Sequence, residues 1–134
     1  MITTIDIGNT NMTLGFFKGS QLLGSFKVLT SGWDDPGEIG ALIKEKARPF
    51  LRKEICEEIY ACSVVPTANQ LLRSICREVL KSDCRIAGED FCVPLMNKYR
   101  IPSQVGQDRL VNAYAALKLH GKGLIVVDFG TAIT

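Results

Sequence analysis

From Ile2 to Leu29 the chain carries three apolar-rich runs of strand length, residues 2–7, 12–17 and 22–29. Between the runs lie "GNTN" and "KGSQ", where Gly, Asn and Ser supply turn chemistry. The pattern predicts three antiparallel strands in a meander. The next stretch, "TSGWDDPGEIG", is loop-like and ends in helix-start signals: Pro36 suits a first turn, and Asp34, Asp35 and Glu38 suit its positive end. From Pro36 to Leu51 the apolar residues Ile39, Leu42, Ile43, Ala47 and Phe50 share one helical face. Pro49 belongs in the last turn or at a kink.

Beyond residue 51 strand and helix alternate. Residues 59–65 read as a buried strand; Pro66 opens a helix carrying Leu71, Leu72, Ile75, Val79 and Leu80 at helical spacing; residues 85–87 read as a weak strand. A long irregular segment, "GEDFCVPLMNKYRIPSQVG", precedes a helix over residues 108–120, with Leu110, Ala113, Tyr114 and Leu117 as its apolar stripe. Loops of that length are usually functional. Residues 124–127 read as a last short strand before "DFGTAIT". Three strands followed by alternating helix and strand predict an α/β layer with a mixed sheet.

Composition narrows the class. At 134 residues, 46% hydrophobic and 22% charged, the chain fits one soluble globular domain. A net charge of +2 argues against a nucleic-acid surface or a polybasic membrane anchor. The start "MITTIDIG" lacks the basic region of a signal peptide, and no apolar run reaches membrane-spanning length. Five cysteines form an odd set with no C-x-x-C pair, as expected of small buried hydrophobes in a reducing cytoplasm.

The chemistry concentrates in three stretches. "DIGNTN", Asp6 to Asn11, taken alone is also good hairpin-turn chemistry. "DFGTAIT", starting at Asp128, repeats its logic of apolar run, Asp, one residue, Gly and a hydroxyl nearby. Each places a carboxylate where it can hold a cation or its water. Each also carries a glycine that lets backbone N–H groups approach phosphate oxygens. No G-x-x-x-x-G-K-[ST] loop is present, so this is not a P-loop. The pair resembles the two phosphate turns of the actin, hexokinase and heat-shock ATPase superfamily. In "VGQDRLVNAYAA" Asp108 and Arg109 stand side by side at a helix start. The plain reading is a capping aspartate with an exposed arginine. The chemical reading is a carboxylate that orients a hydroxyl and takes its proton late, beside a fork of donors.

Taken together, "DIGNTN", "SVVP", Tyr99, "GQDR" and "DFGTAIT" occur in the order and rough spacing of the type III pantothenate kinases, across essentially the whole chain. The resemblance implies a ribonuclease-H-like mixed five-stranded sheet with flanking helices, one half of the actin-like ATPase fold. It implies ATP-dependent phosphorylation of pantothenate to 4′-phosphopantothenate in a cytoplasmic homodimer using Mg2+ and K+ or NH4+. By the same resemblance Asp6, Ile7, Gly8, Asn9, Thr10, Asn11, Met12, Thr13 and Thr131 bind ATP. Tyr99, Gly106, Gln107, Asp108 and Arg109 bind pantothenate, and Asp108 is the proton acceptor. Asp128 holds the monovalent cation, and Asp6 holds Mg2+ through water. The family carries a second domain of similar size, so residues 1–134 resemble its N-terminal half, expected to be inactive alone. A non-catalytic accessory protein on the same scaffold and a sugar kinase of the superfamily are the alternatives. Weaker candidates are His120 at a helix end, Trp33 as a packing anchor, and Lys18, which could reach phosphate from a hairpin.

Overall fold

The structure, a computed structural model, describes residues 1–30 and 35–128. Five strands, β1 (Ile2–Ile7), β2 (Asn11–Lys18), β3 (Gln21–Leu29), β4 (Glu58–Ser63) and β5 (Cys84–Ile86), form one sheet in the order β3-β2-β1-β4-β5. β2 is antiparallel to β1 and β3, whereas β4 and β5 run parallel to β1. That order, with the second strand alone reversed, is the expected ribonuclease-H-like sheet.

Alternation decides which face is covered. Thr3, Ile5 and Ile7 of β1 stand opposite Phe16, Leu14 and Met12 of β2, and all six are buried. Helix α1 (Pro36–Leu51) lays Ile39, Ile43 and Ala47 on this face. Phe16 stacks on Phe50 of α1 with ring centroids 4.3 Å apart, a contact that adds to simple burial. Asp35 caps α1 by accepting from the Gly37 and Glu38 N–H groups, and Pro49 falls in its last turn. The expected helix after Pro66 is three pieces: a 3-10 turn (Pro66–Ala68), α2 (Asn69–Ile75) and a π turn (Cys76–Leu80). The π turn ends at Lys81, whose φ of 61° is left-handed. Four cysteines are buried thiols, as the composition implies, but Cys92 is exposed.

Helix α3 (Gln107–His120) packs on β4. Its apolar stripe is not buried: Leu110, Ala113, Tyr114 and Leu117 are each half-exposed. Residues 124–127 correct a second expectation. No strand forms there among the described residues, and Ile125 is 93% exposed. An apolar run becomes a strand only when a neighbouring edge accepts its hydrogen bonds, and no described strand lies alongside. Trp33, Asp34 and Thr131 lie outside the described residues. No described helix is long and apolar enough to cross a membrane.

Candidate active site

The carboxyl ends of β1, β4 and β5 meet at one edge of the sheet, where ligands of open α/β sheets gather. The β1–β2 connection forms the first wall. Gly8 N–H donates to Asn11 O at 2.9 Å, closing a hairpin turn that leaves Asn9, Thr10 and Asn11 exposed. Thr30, just past β3, braces it: its N–H donates to Thr10 O at 2.8 Å, and its hydroxyl to Gly8 O at 2.9 Å. A Cβ on Gly8 would meet Asn11 O at 3.3 Å, so a small residue suits this turn. The side chains of Ile7 and Met12 are wholly buried in the core. Only their backbone can serve a ligand. Ile7 O is already taken by Val64 N–H, which ties the "SVVP" stretch to the turn.

Asp6 points to the opposite face from this core. Asp6 is exposed as a residue, yet partial desolvation of its carboxyl raises it above the ordinary 3.8, Asp108 and Asp128 raise it further, and Lys27 opposes them. Asp6, Asp108 and Asp128, far apart in the chain, thus lie within electrostatic reach of one another. Across the strand pair Cys62 stands beside Asp6. Its thiol is pushed up to about 12 by burial, then by Asp6 and Asp108. It is therefore a neutral wall of the site at physiological pH.

Asp108 is not the helix cap. Gly106 occupies that position, and Asp108 lies inside the first turn of α3. A Cβ on Gly106 would run into Asp108 Oδ1, so the glycine makes room for the carboxylate. One turn on, Asn112 donates to Asp128 Oδ2 at 3.1 Å. Residues four apart share a helix face, so this bond brings Asp128 to the Asp108 side of α3. Arg109 is exposed and enters no ion pair among the described residues. Gln107 packs against Gly88, where a Cβ would come within 2.9 Å of its amide.

Tyr99 stands apart. It is 58% exposed, and its N–H is held by Asn97 Oδ1 at 3.0 Å in a turn of the long loop. No hydrogen bond or ring contact joins it to the carboxylates among the described residues. Lys18 lies at the far end of β2 from the turn and pairs with Glu54, so it does not serve phosphate. His120 ends α3, exposed. Lys27, Thr30 and Asn112 were not singled out by sequence. Asn112 had a usable signal in its i+4 spacing from Asp108; the other two depend on strand register.

Comparison with known proteins gives these residues a family. A family model described as type III pantothenate kinase matches residues 2–134. The chain belongs to the type III pantothenate kinase family. A type III pantothenate kinase of Brevibacillus brevis is 38% identical over the whole of this chain and 53% of its own length. One of Rubrobacter xylanophilus is 36% identical over the whole chain and 51% of its length. The chain thus spans about half the length of the curated relatives it matches. Solved structures of Aquifex aeolicus Ppx/GppA proteins superpose on 64% of this chain and 34–35% of theirs, at 15–17% identity and TM-scores of 0.41 and 0.42. That likeness is too slight to bear on the fold.

Proposed function

We propose that this chain is the phosphate-gripping, pantothenate-binding half of an enzyme that moves the γ-phosphoryl group of ATP to the primary hydroxyl of pantothenate. The observation that carries the reading is the convergence of Asp6, Asp108 and Asp128 beside the Gly8–Asn11 turn. Phosphoryl transfer asks the protein mostly for positioning and charge stabilisation. Backbone N–H groups and the exposed side chains of Asn9, Thr10 and Asn11 meet the phosphates, with Thr13 behind them. Asp108 orients the attacking hydroxyl and takes its proton, Arg109 offers its fork of donors to an anionic or carbonyl oxygen of pantothenate, and Tyr99, on the long loop, is a further pantothenate contact. Gly106 and Gln107 shape the floor under them.

The carboxylates fit hard cations, since all their donors are oxygens. They do not close into one set of three ligands among the described residues; in the proposed arrangement Asp6 holds Mg2+ through water and Asp128 a separate K+ or NH4+. When bound, these ions neutralise charge that would otherwise repel the nucleotide. Thr131 adds an ATP contact, and the enzyme works as a cytoplasmic homodimer. The test uses the full kinase that carries this chain as its N-terminal half, given ATP and pantothenate. Mass spectrometry should find 4′-phosphopantothenate, formed only with both substrates. ATP consumption without that product, or faster phosphorylation of a sugar, would overturn the assignment.

A further inference from the structure

The sheet register places four side chains in one row across the face opposite the core: Lys27, Thr13, Asp6 and Cys62, on β3, β2, β1 and β4 in turn. Their sequence neighbours Val28, Met12 and Ile7 form the matching row in the core. Strands lie about 4.8 Å apart, so Lys27 starts only about 10 Å from Asp6, with the half-buried Thr13 between them. A four-carbon stem carries an ammonium across much of that gap. Among the described residues Lys27 has no ion-pair partner. It is also the cation that acts on Asp6 against the two other carboxylates. An acidic site that must accept a triphosphate is short of positive charge, and this lysine is fixed on a strand rather than a loop.

We propose that Lys27 is a phosphate-binding residue of this site, its ammonium contacting phosphate oxygens of the nucleotide held at the Gly8–Asn11 turn. The assignment rests on the kinase reading above. A lysine on an edge strand also discourages unwanted strand addition, but that duty would leave nucleotide affinity untouched.

The test compares Lys27→Met, which keeps the stem and removes the charge, with Lys27→Arg in the full kinase. ATP affinity is measured by calorimetry, and the KM for ATP and for pantothenate by turnover. Lys27→Met should weaken ATP by roughly 10- to 100-fold, as loss of a charged hydrogen bond does. It should leave the KM for pantothenate unchanged, and Lys27→Arg should retain most of the ATP affinity. Unchanged ATP affinity in Lys27→Met, or equal losses in both variants, would overturn the assignment. If the parent binds ATP but makes no phosphopantothenate, the kinase reading fails and ATP affinity alone judges Lys27. If the parent makes product and Lys27→Met binds ATP normally, only Lys27 fails.

Discussion

Asp6 pays a stability cost for its position. Partial desolvation and two like charges raise its carboxyl, so folding favours the protonated form. Its contribution is fully present below the unfolded-state value and lost as pH rises through the folded-state value. Near neutral pH the ionised carboxylate therefore opposes folding. Asp6→Asn is expected to raise Tm near neutral pH while weakening ATP binding, and the gain should vanish as pH falls into the carboxylate range. Differential scanning across that range checks both signs; a Tm that falls at neutral pH would contradict them. The same cluster yields a second expectation at Asp128. If its carboxylate holds a monovalent cation, Asp128→Ala should abolish activation of the full kinase by potassium or ammonium, read from initial rates at varied salt. Undiminished activation would place that cation elsewhere.

Among the elements, the corner after β5 is built to present α3. Arg73 donates to Cys84 O at 2.8 Å and to Glu89 and Asp90 at 2.9 and 2.7 Å, and Asp90 accepts from Ile86 N–H. Gly88, inside this corner, has φ +85° and backs onto Gln107. Gly88→Ala forces a side chain into that conformation and against Gln107. It is expected to cost about 1–3 kcal/mol in chemical denaturation and to raise the KM for pantothenate more than that for ATP. Much of this level was legible in the sequence. Apolar runs bounded by turn residues gave β1 to β3, and Pro36 with the carboxylates around it marked the start of α1, because those signals are local. The split of residues 66–80 into three helical types was not legible, since apolar spacing is nearly the same in each. Residues 124–127 have strand composition but no described edge to pair with. The row linking Lys27 to Asp6 depends on register, which the hydrophobic pattern and the turns set jointly across strands and no single residue announces.

At the scale of the molecule, the core closes within the chain: β1, β2, β4, α1 and α2 bury one another's apolar faces. The candidate site, by contrast, lies on the opposite sheet face and edge, where α3 packs on β4. The isolated 134-residue chain is expected to fold cooperatively, seen by circular dichroism and a thermal transition, yet not to turn over ATP and pantothenate. Positioning between two walls supplies most of the rate in phosphoryl transfer, and the matched relatives are about twice as long. Turnover by the isolated chain would show that its own residues suffice. Activity restored by adding the separately made second half would support the division of labour. The central claim is that Asp108 serves the reacting hydroxyl rather than the helix, and the full kinase bearing Asp108→Asn tests it most directly. A positioned base contributes about 10²–10⁴-fold, so kcat should fall by that order while the KM for ATP stays close to the parent's. Near-normal turnover in Asp108→Asn would contradict the account.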